Sequence, residues 1–273
     1  MKRKPTNIRT DTAFRRTVRT FYRKHGRHDL PWRKTANPYR ILVSEVMLQQ
    51  TQVPRVREKY TAFIKQFPTV HALAAAPLGE VLRAWQGLGY NRRAKMLHEC
   101  AKVVKGRLPK TYDELCSLPG IGPYTASAVM VFAYNEPIVM IETNIKTVYL
   151  HHYFNNKKNV PDSALLPIIE QTLDRKNPRE WYAALMDYGT HLKKEFGNAN
   201  VRSKHYTKQS AFKGSDREIR GAILNVLSAR KCTQDALHTA LKQFERERIN
   251  TNLAALAHED MVEQKGSLYR LPE

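Results

Sequence analysis

The chain has 273 residues, enough for one large domain or for two, with an ample core. Its 46 lysines and arginines outnumber 25 acids, which gives a formal net charge of +21 and a pI near 10.0. This excess is spread along the chain and favours a polyanionic partner, and a hydrophobic content of 42% argues against a disordered basic arm. A ribosomal or merely adhesive basic protein is the alternative.

No apolar run approaches the roughly 20 residues of a membrane span, and the basic N-terminus has no apolar segment behind it. We therefore expect an intracellular protein of the cytoplasm or nucleoid, or of the nucleus in a eukaryote, with no membrane partner. Cys100, Cys116 and Cys232 are odd in number and lack metal-ligand spacing. They predict a reducing compartment and neither a disulfide framework nor a metal site.

Helical patterns fill most of the chain up to residue 195 and predict an all-α fold. Residues 1–11 are expected to form a loose basic arm. The helix that follows, 12–25, should bury a stripe of four residues, Phe14, Val18, Phe21 and Tyr22, and residues 30–33 should form an extended link. Further helices are predicted at 39–50, 53–66, 70–76, 78–85, 91–105, 124–134, 161–173 and 178–192.

The last part of the chain begins with a polar, basic connector at 197–214, where we place a domain boundary. Three helices are predicted after it, at 217–227, 233–243 and 252–263, and then a short β wing at 266–271. Three helices followed by a hairpin are the pattern of a winged helix, a DNA- or protein-binding module. A simple helical cap is the alternative.

Two glycine turns precede helices. The first, Leu118 to Gly122, has two glycines two residues apart, so it can expose backbone N–H groups at the next helix start as a phosphate grip. The second ends in Tyr90 and is followed by Asn91, Arg92 and Arg93. An aromatic ring in this position can insert between bases. Core packing is the alternative for Tyr90.

Two carboxylates stand out by their surroundings. Glu45 lies among apolar residues of a predicted helix, where burial would raise its pKa and keep a proton available for general acid catalysis. A solvated glutamate on a polar helix stripe is the alternative. Glu142 lies in the run 138–148, which is otherwise free of acid. Carboxylates in a basic protein with a phosphate grip predict chemistry on a nucleic acid.

The glycine hairpin, its following helix, the downstream Glu142 and the helix with Glu45 resemble the helix-hairpin-helix DNA glycosylases. Within them, the chain is most similar to the MutY adenine glycosylases. The likeness covers about residues 12–190, and the run SEVMLQQTQV at 44–53 is its most specific part. Other matching residues are 30–32, 38–39, 67–69, 87–90, 93–94, 97–98, 118–125, Asn144 and 186–187.

The resemblance implies a two-lobed all-α glycosylase domain at 12–196. A six-helix barrel would cover about 38–142, and the second lobe would combine 12–37 with 143–196. The tail, for which we find no such likeness, would add a small winged-helix-like domain at 215–273. Members of the family bind DNA across the cleft and flip the target base into it.

The resemblance also implies roles for four candidate catalytic residues. Glu45 matches the acid that protonates adenine at N7, and Tyr124 matches a tyrosine beside the active site of many members. Glu142 matches the aspartate that stabilises the oxocarbenium ion, and Asn144 an asparagine near it. This agrees with the chemistry, because breaking an N-glycosidic bond needs a protonated leaving base and stabilised positive charge on the sugar.

DNA contacts are expected from three segments. Gln50 and Tyr90 match residues that probe and wedge the opened duplex. The remaining candidates are Gln49, Thr51, Gln52, Arg92, Arg93, Leu118, Gly120, Ile121, Gly122, Thr125 and Lys146. We expect duplex DNA with a mismatch or an oxidative lesion as the partner, bound by a monomer.

Three departures from the family pattern qualify this interpretation. Position 142 is glutamate instead of aspartate. The stretch 189–209 has no cysteine, so the family's iron-sulfur cluster is expected to be absent and the basic segment 201–208, with His205 and Tyr206, to take its place. This segment could bind phosphate directly, and a solvated connector is the default interpretation. The domain that reads 8-oxoguanine in typical members is not visible. No other cofactor is expected, although a cation could bridge the glycine hairpin to a phosphate.

We therefore expect a base excision repair enzyme that hydrolyses the N-glycosidic bond of adenine opposite 8-oxoguanine or guanine. Members that also nick the backbone have a lysine at the position of Tyr124, so a monofunctional enzyme is predicted. Adventitious reaction of Lys146 with an abasic sugar is a weaker alternative. A thymine or uracil mismatch glycosylase is the enzymatic alternative, and a catalytically silent DNA-binding homologue is the non-enzymatic one.

Overall fold

The computed structural model of the chain describes residues 8–104 and 106–273, with side chains from Asp11 onward. Most of the basic arm predicted at 1–11 and the predicted helix end at Lys105 lie outside these residues. In the described part the helices are α1 (Ile8–His25), α2 (Pro38–Leu48), α3 (Val53–Gln66), α4 (Val70–Ala75), α5 (Leu78–Ala84), α6 (Arg92–Val103), α7 (Tyr112–Cys116), α8 (Pro123–Tyr134), α9 (Thr143–Tyr153), α10 (Asp162–Thr172), α11 (Pro178–Phe196), α12 (Asp216–Ala229), α13 (Gln234–Ala240) and α14 (Arg246–His258). The strands are β1 (Cys232–Thr233), β2 (Glu263–Lys265) and β3 (Leu268–Arg270).

The mainly helical fold agrees with the prediction, with differences at element ends and in elements that the sequence did not predict. α1 begins four residues earlier than expected, so residues 8–11 are helical instead of part of a loose arm. The expected extended link at 30–33 contains a short 3₁₀ helix, Pro31–Arg33, because Pro31 begins a turn that buries Trp32. α14 begins at Arg246, six residues before its predicted start, and α7, α9 and β1 were not predicted.

The chain forms two compact units. Unit 1 consists of residues up to 41, 110–112 and 122–208, and its helices are α1, α8, α9, α10 and α11. The stripe predicted on α1 is buried in its core at Phe14, Val18 and Tyr22, with Phe21 packed at the edge. This spacing of four residues aligns one face of α1 with α11, in agreement with an amphipathic helix.

Unit 2 consists of 42–109, 113–121 and 209–273. It contains most of α2, then α3 to α7 and the C-terminal elements α12 to α14 with the three strands. Trp85 is fully buried in this unit, and Phe63 meets it edge to face with ring centroids 5.9 Å apart. Large aromatic side chains therefore anchor the short helices of this unit.

The C-terminal part of unit 2 has the element order of a winged helix. Helix α12, strand β1, helices α13 and α14, and strands β2 and β3 follow one another, and the strands pair antiparallel in the order β1-β3-β2. Ile219, Ile223 and Ile249 lie in its core. The predicted wing therefore gains a third strand, since Cys232 pairs with Tyr269.

The winged part packs on helices α5 and α6 of the same unit. The Gly79 N–H donates to the Pro272 carbonyl at 2.8 Å, and the Lys95 Nζ donates to the Glu259 carbonyl at 2.6 Å. The compact units thus differ from the expected domain bounds, because the tail shares a unit with α3 to α6 and because α8 falls in unit 1. A separate domain at 215–273 stays a prediction.

Candidate active site

Glu142 is the N-cap residue of α9. Its Oε1 accepts hydrogen bonds from the backbone N–H groups of Asn144 at 2.7 Å and Ile145 at 2.8 Å, and its Oε2 accepts one from Asn144 Nδ2 at 3.2 Å. A carboxylate in this place satisfies N–H groups that have no partner within the helix, and the helix dipole favours its charge. The glutamate expected as the charge stabiliser is therefore fixed by the backbone of the helix that it begins.

Two opposing effects set the proton affinity of Glu142. Burial raises its pKa, whereas the hydrogen bonds from Asn144 and Ile145 and the positive charge of Arg27 act to lower it. Burial is the larger effect, so the pKa lies above its ordinary value. Glu142 is therefore held as a carboxylate by its hydrogen bonds, and it takes up a proton at a higher pH than an ordinary glutamate does.

The segment around Glu142 is pinned on several sides within unit 1. The Tyr182 hydroxyl accepts from the Met140 N–H at 3.1 Å and donates to the Ile138 carbonyl at 2.9 Å. A Cβ at Gly189 would lie 2.2 Å from the Asn144 carbonyl oxygen, so only glycine allows α11 to approach the first turn of α9 this closely. The backbone before and after Glu142 is therefore held by α11.

Asn200 holds the same turn of α9 from another side. Its Nδ2 donates to the Thr143 carbonyl at 3.1 Å and to Thr147 Oγ1 at 2.7 Å, and the residue is 5% exposed. Asn200 lies in a short 3₁₀ helix, Ala199–Arg202, inside the expected basic connector. This part of the connector is thus packed structure, not a solvated linker.

Asp187 is a buried acceptor in the middle of α11. Its two oxygens pair with Arg33 Nη1 and Nη2 at 2.5 and 2.8 Å, and they also accept from the Arg27 Nε at 2.6 Å and the Arg27 N–H at 2.8 Å. Burial alone would raise its pKa, but Arg33 and Arg27 outweigh burial and hold the pKa below its ordinary value. This network joins α11 to the loop that follows α1.

The other candidates of unit 1 have different surroundings. Tyr124 is half-buried and packs against the core of the unit. Lys146 Nζ lies 2.7 Å from an Asp162 carboxylate oxygen, and only 15% of its side chain is exposed. Because this ammonium already has a carboxylate partner, it is less available to DNA or to an abasic sugar than the sequence predicts. Thr125 is buried on α8, so its side chain does not present itself for DNA contact.

Glu45 lies on the part of α2 that belongs to unit 2, and it is 7% exposed. Its neighbours along the helix, Val43, Val46 and Met47, are buried as well. The expectation of a carboxyl group among core residues is therefore confirmed for this unit. The alternative of a solvated glutamate is wrong.

Gln50 and Tyr90 share an uncommon backbone conformation. Among the described residues other than glycine, five have positive φ, and three of these are asparagine or aspartate, which tolerate it. The other two are Gln50 at 54° and Tyr90 at 48°. Strained backbone of this kind concentrates at functional sites. These are also the two residues expected to probe and wedge a duplex.

Arg93 explains how the two strained residues are held. Its Nη1 donates to the carbonyls of Val46 and Gln49 at 2.6 Å each, at the C-terminal end of α2. Its Nη2 donates to the carbonyls of Leu88 and Gly89 at 3.2 and 3.0 Å. One guanidinium thus binds the backbone just before Gln50 to the backbone just before Tyr90.

The expectation that Arg93 contacts DNA needs correction. Its Nη atoms are used inside unit 2, and they also bond the Met47 carbonyl and Thr51 Oγ1. Burial lowers the pKa of Arg93 to about 10, so it stays charged at neutral pH. A charge so enclosed positions loops and does not meet phosphate. Arg92, beside it, is exposed and keeps the predicted role open.

The glycine hairpin agrees with its predicted geometry. Gly120 has φ 73°, and a Cβ there would lie 2.5 Å from Met96 Cβ. Both the backbone conformation and the space beside Met96 therefore require glycine at this position. Gly122 is exposed and is the N-cap residue of α8. Leu118 and Ile121 are buried, which leaves the backbone of the hairpin, not these side chains, to meet a ligand.

The remaining candidates lie in the turn after α2. Gln49 and Thr51 are half-buried, whereas Gln52 is exposed and is the N-cap residue of α3 without a side-chain cap. Thr51 Oγ1 also contacts the Leu88 carbonyl at 3.3 Å. The turn is therefore tied to the loop of Tyr90, and Gln52 is its most accessible amide apart from Gln50.

Comparison with known proteins identifies the family of this chain. Residues 43–166 match the HhH-GPD superfamily of base excision DNA repair proteins. The chain is 37% identical over 224 residues to the adenine DNA glycosylase of Mycolicibacterium smegmatis, an alignment that covers 74% of this chain and 76% of that protein. The chain belongs to the HhH-GPD superfamily of base excision DNA repair proteins. The resemblance to its adenine glycosylases, stated from the sequence, is confirmed.

Other HhH-GPD relatives differ in length from this chain. It is 38% identical to the adenine DNA glycosylase of Buchnera aphidicola subsp. Baizongia pistaciae over 66% of this chain, but that alignment spans only 53% of the relative. The human adenine DNA glycosylase is 36% identical over 65% of this chain and 35% of its own length. The chain thus spans between a third and three quarters of these relatives.

Solved structures confirm the HhH-GPD fold. A thermostable thymine-DNA glycosylase is similar with a TM-score of 0.59 and 29% identity, over 66% of this chain and 86% of that chain. A trapped endonuclease III-DNA covalent intermediate is similar with a TM-score of 0.53 and 20% identity, over 68% of this chain and 86% of that one. In the described residues, no helix is long and apolar enough to cross a membrane.

The resemblance implies an iron-sulfur cluster, but the residues present cannot ligate one. A thiolate-ligated cluster needs four cysteines after Asp187, and 189–209 contains none. Asn200 and Arg202 occupy this stretch, and Arg202 Nη1 donates to the Asn155 side chain at 3.0 Å. The described residues also contain no group of three or more metal-binding side chains. Absence of a cofactor stays a prediction.

Several contributors to the HhH-GPD site were missed in the sequence. Asn200 and Gly189 hold α9 across distances in sequence that no local pattern reveals. Gln209 and Arg217, from the start of the C-terminal part, reach Gln50 and Tyr90. The basic character of 197–214 indicates a function for this segment but does not identify Gln209, and Arg217 lies just beyond it.

Proposed function

We propose that this protein is a monofunctional DNA glycosylase that hydrolyses the N-glycosidic bond of adenine mispaired with 8-oxoguanine or guanine. The observation that carries the proposal is Glu142, a carboxylate held by two backbone N–H groups and Asn144 at the start of α9. A fixed negative charge stabilises the oxocarbenium-like sugar that forms as the bond to the base breaks. A protein that only binds DNA has no need of such a group.

Glu45 supplies the other group that the reaction needs, a proton donor for the leaving base. A buried carboxyl group on α2 is suited to give a proton to the leaving adenine, which is a poor leaving group as an anion. The names of the relatives from Mycolicibacterium smegmatis and Buchnera aphidicola support adenine as the base. Water then takes the place of the base on the sugar, because no amine replaces Tyr124 to form a Schiff base.

The basic surface and the two strained residues support duplex DNA as the partner. The net charge of +21 favours binding to phosphates, and Gln50 and Tyr90 are suited to enter the duplex where the adenine leaves. The Gly122 end of the hairpin presents the first N–H groups of α8 to a phosphate. We further propose that the protein acts as a monomer inside the cell.

A second candidate is excision of thymine or uracil mispaired with guanine. It is favoured by the similarity to the thermostable thymine-DNA glycosylase, at 29% identity. Tyr124 is compatible with both branches. The adenine branch is preferred because the relatives with adenine in their names match at 30–38% identity and because Glu45 provides the acid that adenine release needs.

Single-turnover base release tests the proposal. Duplexes carry adenine opposite 8-oxoguanine or guanine, and thymine or uracil opposite guanine. We expect adenine release by wild type, with strands nicked only after alkali. Glu142→Gln should slow release by about 10²–10³-fold because it removes the charge that stabilises the sugar cation. Glu142→Asp should retain more activity than Glu142→Gln, since it keeps the carboxylate.

Exposed Glu195 on α11 provides the matched control, and Glu195→Gln should behave as wild type. Release of thymine or uracil alone would replace the adenine assignment by the second candidate. Wild-type protein that binds every duplex and releases no base would contradict an enzymatic function.

A further inference from the structure

A groove of about 500 Å³ lies along α1 in unit 1, on the face of the helix that does not enter the core. Its walls include four arginines, at positions 15, 16, 19 and 23, together with Thr20 and with Glu180 of α11. We call it the arginine groove. None of these residues is a candidate for catalysis or for DNA contact in the sequence, so the positive charge of α1 has no role in the proposed excision.

Two of the four arginines are held by the protein itself. Arg15 donates to backbone carbonyls at the C-terminal end of α10, with its shortest hydrogen bond to the Gln171 carbonyl at 2.8 Å. Arg19 pairs with Asp174 at 2.5 Å, although 53% of its side chain is exposed. Carbonyls fix Arg15 without cancelling its charge. Of these two arginines, only Arg19 has a carboxylate partner among the described residues.

Arg16 and Arg23 carry charge that no described carboxylate neutralises. Arg16 is exposed and has no hydrogen-bond or ion-pair partner in the part of the chain that the structure describes. The Arg23 guanidinium donates to Thr20 Oγ1 at 3.3 Å. Exposed Glu180, the acid that lines the groove, offsets one of these charges at most. The arginine groove therefore keeps a net positive charge.

Helix stability does not explain this charge. The one acid of α1, Asp11, is buried and lies outside the groove. Arg15, Arg19 and Arg23 follow one another four residues apart, and like charges at this spacing destabilise a helix. The helix dipole favours Arg23 in the last turn but not Arg16 in the middle. A row of like charges that is unfavourable for the helix is expected where a polyanion binds.

The spacing of Arg16 and Arg23 suits a sugar-phosphate backbone. These residues are seven positions apart, which places them on the same face and about 10 Å apart along the helix axis. One strand of B-DNA carries a phosphate about every 3.4 Å along its axis, so the two long side chains can reach phosphates of the same strand. A guanidinium also binds two phosphate oxygens at once through its planar fork. The net charge of +21 and the family of this chain favour DNA over an acidic protein as the polyanion.

We propose that the arginine groove is a second surface for DNA, where Arg16 and Arg23 bind backbone phosphates outside the site of base excision. The proposal rests on the proposed function only for the choice of DNA as the polyanion. The contact is independent of sequence, so it adds affinity for every duplex and does not select a base. The flank of the substrate duplex and a second duplex both carry this chemistry.

Binding of a lesion-free duplex of about 40 base pairs tests the proposal, with fluorescence anisotropy at several salt concentrations. The double variant Arg16→Gln, Arg23→Gln should weaken binding about 5- to 50-fold at about 0.1 M salt. The slope of log K against log salt should fall in magnitude by about 1 to 2, since each lost phosphate contact contributes about 0.9. Glutamine has a helix propensity close to that of arginine, so the circular dichroism spectrum should not change. Arg16→Lys, Arg23→Lys should keep the wild-type slope, because both charges remain.

Lys157→Gln, Lys158→Gln is the matched control. These exposed lysines follow α9 in the same unit and do not line the groove, so the control variant loses equal charge elsewhere. Its Kd should stay within about twofold of the wild-type value. Equal changes in Kd and slope for the control and for Arg16→Gln, Arg23→Gln would overturn the proposal. Binding of poly-glutamate but not of DNA through Arg16 and Arg23 would also overturn it and would indicate an acidic protein as the partner.

A duplex of about 12 base pairs distinguishes the two sources of phosphate. If the flank of the substrate duplex is bound, Arg16→Gln, Arg23→Gln binds the short duplex as wild type does and is weakened only with the long one. If a second duplex is bound, wild type takes two short duplexes and the variant takes one. Either result supports a second surface for DNA.

Failure of the proposed function gives a different result. The Kd measurements do not depend on base release, so a wild type that releases no base leaves them valid as a test. Where base is released, Arg16→Gln, Arg23→Gln should match wild type in single-turnover rate at saturating protein, since the groove touches no reacting atom. A slower rate at saturation would overturn the proposal and place these arginines in the excision step.

Discussion

The two units hold their candidate functional residues with groups of opposite character. In unit 1 the central groups are carboxylates that accept: Asp187 receives Arg27 and Arg33, and Glu142 receives backbone N–H groups. In unit 2 the central groups are guanidiniums that donate: Arg93 to backbone carbonyls and Arg217 to Tyr90. The hydrogen bonds of unit 1 therefore depend on the charge of an acceptor that can be protonated, whereas those of unit 2 depend on a donor that stays charged.

This difference predicts which change destabilises each unit, a fall in pH for unit 1 and a change of donor shape for unit 2. Acid protonates Asp187, whose pKa is held low, and so weakens this support of unit 1. Acid also removes the charge of Glu142, but because the pKa of Glu142 is raised, that protonation does not lower the stability of the unit. Arg93 keeps its charge throughout the acid range, since its pKa of about 10 is far above it. What matters in unit 2 is the shape of the donor, because only a planar guanidinium reaches acceptors on α2 and on the loop of Tyr90 together.

The largest expected effect is on Asp187. Asp187→Asn removes the charge opposite two arginines and should lower the free energy of unfolding by about 2–4 kcal/mol, because it leaves two partly buried guanidiniums without their counter-charge. Urea unfolding followed by circular dichroism measures it. Since the pKa of Asp187 is held low, its stabilisation is present above the ordinary aspartate pKa and is lost as pH falls through the lowered value. Asp187→Asn should lose that acid dependence.

Asp174 offers the control in the same unit. It pairs with Arg19, whose side chain is 53% exposed, so Asp174→Asn should cost about 0–1 kcal/mol. An equal cost for the two variants at pH 7 would show that burial of the Asp187 network does not set the stability of unit 1.

The next effect, in unit 2, concerns Arg93. Arg93→Lys should lower the free energy of unfolding by about 2–3 kcal/mol, because an ammonium cannot replace all of the hydrogen bonds to the buried carbonyls. The cost should be the same at pH 5 and pH 7.5, unlike that of Asp187→Asn. Thermal or urea unfolding at both pH values measures it.

Exposed Arg92, the adjacent residue, is the control, and Arg92→Lys should be near neutral. If Arg93→Lys cost no more than Arg92→Lys, the two loops would be held by packing alone. A cost that varied with pH would remove the contrast between the units.

Features encoded locally could be predicted from the sequence, and the buried stripe of α1 and the hairpin at Gly120 are examples. The periodicity of Phe14, Val18 and Tyr22 shows which face is buried, and two glycines in five residues show where the backbone turns. Glu45 could be identified because a charge among apolar residues is visible in the sequence itself.

The rest depends on contacts between residues far apart in the chain. Asn200 reaches α9 over more than fifty residues, and Arg217 reaches Tyr90 over 127. The positive φ of Gln50 and Tyr90 is similarly invisible, since neither residue type favours it. The sequence predicts a DNA contact for Arg93 because it is one of the cations beside the glycine turn of Tyr90, and its actual acceptors are backbone carbonyls that a sequence does not reveal.

The smallest expected effect sharpens the comparison at Glu142. Asn144→Ala removes the Nδ2 donor to Glu142 Oε2 but keeps the backbone N–H, so the charged form of Glu142 loses one of its three hydrogen bonds. The pKa of Glu142, already raised by burial, should rise further. Activity needs the carboxylate and falls as pH drops through this pKa, so the acid limb of the rate profile should move up by about 0.5–1 pH unit.

Single-turnover rates between pH 5 and pH 8 measure the shift, and Thr143→Ala is the control because Thr143 is exposed and its backbone carbonyl, which bonds Asn200, is retained. The rate of Asn144→Ala should approach that of wild type above the limb and fall roughly 3- to 10-fold below it. A rate reduced equally at every pH would mean that Asn144 orients the substrate or the helix and does not tune the charge. In that case the carboxylate-centred description would hold for Asp187 but not for Glu142.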